Sequence, residues 1–221
     1  MDNACRPPPL PKTIPMKQQT FFPTATILIA VMFPAPCRSQ TPYTAGGEVT
    51  TTILGTSNIH DWEMVSRKGE CSLSLRMDAA GALTGVGNVR FSVPVNSLKS
   101  EQGSQMDNNA YKAMDEANHP TIRFEAGTAT LRPAAGGTYG ITVDGRLSIS
   151  RVTRDVTLSA IAKVNLDRSV TIEGSYPLVT TDYDVKPISV MLGAIRTSEK
   201  VTIRYVMTLK PKSENGSPQV P

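Results

Sequence analysis

With 39% hydrophobic residues and only 19% charged, this 221-residue chain can bury a real core, which excludes a disordered protein. Its net charge of +4 comes from Lys and Arg scattered singly, without the basic runs and interleaved aromatics of a nucleic-acid surface. The two histidines, His60 and His119, fall outside any metal-ligand spacing, so no metal and no other cofactor is expected.

The first 39 residues read as a leader. Met1 to Pro15 is proline-rich and precedes Met16-Lys17, which is read as the true start. The apolar run Thr24 to Phe33 follows, and the small residues Cys37 and Ser39 suit positions −3 and −1 of a signal-peptide cleavage site, giving a mature start at Gln40. The run is too short to span a bilayer, so no integral membrane span is expected, and a periplasmic or secreted bacterial location follows. Lipidation at Cys37 is disfavoured by Pro36 directly before it. Cleavage after Ser39 leaves Cys71 alone, so no intramolecular disulfide can form, and its alternation with Leu73 and Leu75 makes it a small buried residue.

Past Thr44 the hydrophobic period is two nearly throughout. Val49, Thr51 and Ile53 alternate up to Gly55; His60, Trp62 and Met64 share one face; Cys71, Leu73, Leu75 and Met77 follow before a turn at Asp78 to Gly81. Gly85-Val86-Gly87 lacks a third glycine and a following helix, so it reads as a turn or bulge and not a dinucleotide loop. Val89, Phe91, Val93 and Val95 alternate next, with Pro94 suggesting an edge or bulge at the far end.

The one clear helix signal runs over about 106–117. Met106, Ala110, Ala113 and Ala117 recur on one narrow face, with Met114 at its margin and Asp107, Asn108, Lys112, Asp115 and Glu116 opposite. Ser104 is the expected N-cap, while Asn118 and Pro120 mark the exit. A short helix of this kind, feeding straight into a strand, suggests a lid packed on a sheet.

Alternation resumes at Ile122, Phe124, Ala126 and Thr128, and a turn follows at Pro133 to Gly137. The longest run is Tyr139, Ile141, Val143, Gly145, Leu147 and Ile149, where Gly145 marks a bend or a close approach. Val156 to Val164, Val170 to Leu178 and Val201 to Leu209 complete the series, and residues 211–221 form a flexible tail.

Alternation with short turns is the antiparallel signature, and closure is the economical way for long strands to avoid bare edges. An all-β fold is therefore expected: a soluble antiparallel eight-stranded barrel over residues 40–210, carrying one short helix. The outward set, including Arg76, Arg90, Arg123, Glu125, Asp144, Arg146, Lys163, Glu173, Lys200 and Arg204, is too charged to face lipid. The inward set is Val, Ile, Leu and Ala with a few aromatics, including Tyr139. If hollow, such an interior would suit a long apolar molecule; if filled, the same residues form an ordinary core, and the pattern alone leaves both open. The lining residues would be Trp62, Phe91, Val93, Met114, Phe124, Ile141, Val143, Leu147, Ile149, Leu158, Ile172, Tyr176, Ile203 and Tyr205.

Several motifs in this progression are not anonymous. They are Phe91-Ser92-Val93-Pro94-Val95, the helix, His119-Pro120-Thr121-Ile122-Arg123-Phe124, and Gly145-Arg146-Leu147-Ser148-Ile149-Ser150-Arg151-Val152-Thr153-Arg154. Together they resemble the YceI-like family of exported, lipocalin-shaped bacterial proteins that bind polyisoprenoids. The resemblance covers roughly Gly46 to Lys210. It departs at the Ser57-Asn58-Ile59-His60-Asp61-Trp62 entry and at Thr180 to Asp184, which only partly stands in for the family's closing pattern. What it implies is a carrier or store for a polyisoprenoid-type lipid, with no enzymatic activity. The alternative is a filled barrel acting as a structural or interaction module of the cell envelope. A homodimer is left open.

Nothing in the sequence argues for catalysis. Ser57, His60 and Asp61 have the residue types of a hydrolase triad but lie too close together on one segment to form its relay, and there is no Gly-x-Ser-x-Gly elbow. Asp182 and Asp184 read as solvated turn carboxylates and not as an acid/base pair.

Overall fold

The computed structural model describes residues 43–211. The leader, its cleavage site after Ser39, Cys37 and residues 212–221 lie outside the described residues.

The chain runs through β1 (Tyr43–Ser57), β2 (Asp61–Met77), β3 (Leu83–Pro94), β4 (Lys99–Ser100), α1 (Ser104–Ala113), β5 (Thr121–Thr128), β6 (Thr130–Pro133), β7 (Thr138–Ile149), β8 (Val152–Val164), β9 (Val170–Val179), β10 (Ser189–Val190) and β11 (Ile195–Pro211). The long strands pair in the order β1-β11-β9-β8-β7-β5-β3-β2, and β2 pairs back onto β1. That closes an antiparallel barrel of eight strands, leaving none of them as an open edge. The short strands β4, β6 and β10 are additions on β2, β7 and β11.

The expected segments are present, with differences that have local causes. The sequence shows Trp62 and Met64 in one phase and Cys71, Leu73 and Leu75 in the other, as if in two strands. They belong to one, β2, whose burial switches from even positions (Met64, Ser66) to odd positions (Gly69 onward) across the exposed pair Arg67-Lys68. The pairing with β1 slips there, between Val49 and Thr51, so a bulge carries the phase change. Gly85-Val86-Gly87 also belongs to a bulged region: the β2–β3 register shifts opposite Ser72 to Ser74, and Asn88 adopts φ 50°. Pro94 is the last residue of β3, still in register with Thr121, and Val95 opens a 3-10 turn.

Gly145 is a close approach. A Cβ there would lie 2.6 Å from both the Glu125 carbonyl oxygen and Phe124 Cζ, so its absence lets the Phe124 ring lie across β7.

The helix differs most from expectation. It is shorter, ending at Ala113 with Met114 as its C-cap, because Asp115 turns left-handed at φ 53°. Ser104 is the first helical residue and does not cap; Gly103 takes that position without a side-chain bond. Asp107, expected on the wet face, is 5% exposed. Its carboxylate accepts the Ser100 amide at 2.8 Å and lies 3.5 Å from Lys99 Nζ, which ties the helix to β4. Ala117, expected on the packed face, is exposed because the helix has already ended. Met114, placed at the margin, is 8% exposed and part of the core.

Closure brings four connections to one end, here the upper end: the Ser57–Asp61 hairpin tip, α1 with its flanking turns, the Ser150–Arg151 hairpin, and the segment from Thr180 to Ala194. The lower end carries the turns at Asp78, Pro133 and Asp167. All ten charged residues assigned to the outside are exposed.

Candidate functional site: the barrel interior

Two apolar lobes occupy the interior. The deep lobe, about 100 Å³, is bounded by Phe91, Val93, Phe124, Ile141, Val143, Leu147, Leu158, Ile172, Tyr176, Ile203 and Tyr205. The upper lobe, about 80 Å³, lies under the helix and is bounded by Trp62, Met114, Ile149 and again Ile203. Ile53, Ile122 and Ile203 border both lobes. All fourteen residues expected at the interior therefore stand on its walls. On this measure a single water needs only roughly 10–15 Å³, so the interior is narrow without being filled.

The walls are unequal. On β2, β5 and β7 the inward residues Leu73, Phe124, Ile141 and Leu147 are each no more than 6% exposed. On β8, β9 and β11 the inward residues Leu158, Ala160, Tyr176, Ile203 and Tyr205 are only half-buried, although Ile172 and Met207 on the same strands are buried. All five line the deep lobe. Unfilled apolar area facing an enclosed space is what a filled core lacks.

Sequence reasoning missed part of the site. Tyr183 (3% exposed), Val185 and Ile188 pack into the upper core, yet they come from the irregular segment after β9, which shows no strand period over any useful length. The i, i+2 spacing of Tyr183 and Val185 was the available signal. Ala110 and Ala113 line the upper lobe from α1, where their small side chains let the helix lie close. Thr51, Cys71, Val86, Val89, Ala129 and Met207 also line the deep lobe.

Polar groups on these walls are few. The Tyr205 hydroxyl crosses over Gly174 and donates to the Ser159 carbonyl at 3.1 Å, and burial pushes this phenol up to about 12. Burial likewise raises the Cys71 thiol to about 12, leaving it protonated and inert at neutral pH. Trp62 lies flat against Gly55, and its indole Nε1 donates to the Thr56 carbonyl at 3.1 Å.

Two larger depressions, about 680 and 700 Å³, lie on the outside of the barrel. They are open grooves lined by Arg90, Glu125, Asp144, Arg146 and Asp155 or by Glu48, Glu70, Arg123 and Lys210, and they offer no shelter from water to an apolar chain.

Ser57, His60 and Asp61 build a turn and not a relay. Ser57 Oγ accepts the His60 amide at 3.1 Å and donates to the His60 carbonyl at 2.7 Å, while His60 Nδ1 is 2.7 Å from the Asp61 carbonyl oxygen. Asp182 and Asp184 are exposed and face Arg154 and Arg151. Among the described residues no group of His, Cys, Asp and Glu is placed to hold a metal. No helix of the described residues is long and apolar enough to cross a membrane.

Two solved structures share this fold. One is BcnA of Burkholderia cenocepacia, 18% identical, with a TM-score of 0.51 over 72% of this chain and 95% of that one. The other is a polyisoprenoid-binding domain from Saccharophagus degradans implicated in plant cell wall breakdown, 11% identical, with a TM-score of 0.56 over 78% of this chain and all of that one. Among curated proteins no sequence match was found. The model of the YceI-like domain matches residues 45–209, from the first strand to the last, and the chain belongs to that family.

Proposed function

We propose that this protein holds a long apolar lipid of polyisoprenoid type inside its barrel, as an exported carrier or store. The observation that carries the reading is the half-buried inward wall of β8, β9 and β11 facing an unfilled, almost wholly apolar lobe. The neighbour from Saccharophagus degradans, described as polyisoprenoid-binding, supports the ligand class. The physical logic is burial: each methylene moved from water into such a lobe gains about 0.8 kcal/mol, so affinity grows with chain length until the walls are covered. The two lobes adjoin across Ile53, Ile122 and Ile203, an arrangement that suits an extended chain better than a compact ligand. On this reading the protein acts on its ligand by enclosing it between apolar walls.

The test is native mass spectrometry of protein purified from its own host without detergent, followed by solvent extraction of any adduct. A stoichiometric adduct that extracts as an isoprenoid lipid is expected. Protein that emerges without an adduct, and that fails to take up a C20 isoprenoid added from vesicles, would leave the barrel as a filled interaction module.

A further inference from the structure

Each of the eight long strands has two partners, but one seam of the barrel is paired over only part of its length. β8 is in register with β7 from Val152 to Lys163, and β9 with β11 from Val170 to Val179. Between β8 and β9 the register runs only from the pair Val164 and Val170 to the pair Ala160 and Gly174. Beyond that point, towards the upper end, Val152 to Ser159 and Ser175 to Val179 keep their outer partners but are not paired with each other. Pro177, which has no N–H to give to a ladder, lies in the parted stretch of β9.

Side chains frame the parting. At its foot the Tyr205 hydroxyl reaches over Gly174 to the Ser159 carbonyl, the first on β8 beyond the pairing, at 3.1 Å. At its head Arg154 Nε donates to the Asp182 carbonyl at 2.6 Å and Arg151 Nε to the Asp184 carboxylate at 2.7 Å, which ties the start of β8 to the segment after β9. From Arg154 to Ser159 the frame is about 16 Å tall at the usual rise of a strand. Burial follows the seam. Ala162, Val170 and Ile172, beside the paired part, are buried, whereas Val156, Leu158 and Tyr176, beside the parted part, are half-buried. Leu178, at the top of β9, is buried again in the cluster that holds Tyr183. The lip carries no charge: its exposed residues are Thr157 and Ser159 on one edge and Ser175 and Pro177 on the other, while Lys163 and Glu173 stand beside the paired part. An apolar chain can cross such a lip without stripping water from an ion. Leu158 and Tyr176, one on each edge, both line the deep lobe. The upper end, by contrast, is covered by the buried Ala110, Met114, Tyr183 and Val185, and Asp107 ties α1 down to β4.

We propose that the parted seam between β8 and β9 is a side window through which an apolar chain passes into and out of the deep lobe, while the end of the barrel under α1 stays shut. This rests on the lipid-binding reading above and adds the route. The window sets how fast the barrel loads and empties; the lobe walls set how tightly it holds.

The experiment covers the window with a bridge. Delipidated Thr157→Cys/Ser175→Cys protein is treated with a short aromatic bismaleimide; Cys71, buried and held protonated, does not compete for it. Loading of a C20 isoprenoid alcohol from phosphatidylcholine vesicles, and its release to empty ones, are followed over time. The bridged protein is expected to load and to release about tenfold more slowly than the untreated double variant, with the ratio of the two rates, and so the affinity, unchanged. Where the two sulfurs stand too far apart to be joined, each carries its own adduct, the same bulk sits on both edges, and the same slowing is expected. Arg154→Ala, which frees the head of the frame, should speed both rates. Asn96→Cys/Glu116→Cys, bridged in the same way across side chains 3.2 Å apart, fastens the exit of α1 to the turn after β3 and should change neither rate. Rates that stay the same when the window is covered would overturn the route and leave the lipid-binding reading intact. So would slowing by the α1 bridge alone, or a loss of affinity at an unchanged loading rate. Failure of the untreated protein and the wild type to take up the alcohol would instead refute the lipid-binding reading itself. Unchanged far-ultraviolet dichroism of the variants separates these outcomes from misfolding.

Discussion

Ala160→Leu separates a hollow barrel from a filled one by the sign of a single shift. Ala160 is half-buried on β8, points into the deep lobe, and lies in register with Ile141 on β7 and Gly174 on β9. The space over that glycine is taken by the Tyr205 ring and hydroxyl, so a longer side chain at position 160 must enter the lobe itself. Leucine adds three carbons to a lobe of about 100 Å³. If they enter unfilled space, the gross gain is about 2 kcal/mol at the usual value per methylene, less about 0.5–1 kcal/mol for the restricted side chain. A net gain of about 1–1.5 kcal/mol in a domain of this size raises Tm by about 2–6 °C. The same carbons obstruct the path of a chain, so uptake of a C20 isoprenoid should fall at least tenfold. Scanning calorimetry of delipidated protein and equilibrium titration with the isoprenoid read the two effects. Overpacking of a filled core would instead cost about 1–3 kcal/mol and lower Tm. A lowered Tm together with unchanged uptake would refute the reasoning. Val143→Phe, which enters the same lobe from β7, should show the same loss of uptake.

Other consequences follow from single sites. Gly145→Ala must push a methyl against the Glu125 carbonyl and the Phe124 ring; a loss of about 1–3 kcal/mol is expected, read as a lower midpoint in urea with an unchanged slope. Asp107→Ala leaves the Ser100 amide without its acceptor and should cost about 1–3 kcal/mol, with faster hydrogen exchange confined to α1 and β4. Alkali should unfold the protein: the Tyr205 phenol rises from 10.0 to about 12 on folding, so its contribution is intact below pH 10 and lost as pH climbs to 12. The Cys71 thiol, raised from 9.0 to about 12, adds to the same fall from pH 9 upward. Tm measured from pH 8 to 12 should decline across that window, and Tyr205→Phe should flatten the decline above pH 10; equal slopes in both proteins would refute the assignment.

The sequence by itself determined the strands and which of their faces is dry. Period-two alternation from Val49 to Leu209 depends only on each residue's neighbours along the strand, so the inward set, including Phe124, Val143 and Leu158, was legible without any structure. The charged outer set was legible for the same reason. Closure was an inference from edges, and only the pairing of β2 back onto β1 established it. The tertiary structure alone decided what is not periodic. The bulge in β2 joins two phases that no local rule connects, since the slip is set by register with β1. Asp107 is buried because the Ser100 amide and Lys99 meet it from β4, a contact invisible to helical periodicity, which assigned it to water. Tyr183 and Val185 enter the core from an irregular segment because α1 and that segment cover the same end of the barrel. Whether the interior holds free space depends on how side chains from opposite walls fill the distance between them. Alternation fixes the direction in which a side chain points; only the packed structure shows that Leu158, Ala160, Tyr176, Ile203 and Tyr205, though packed against the core, stay half-buried beside an unfilled lobe.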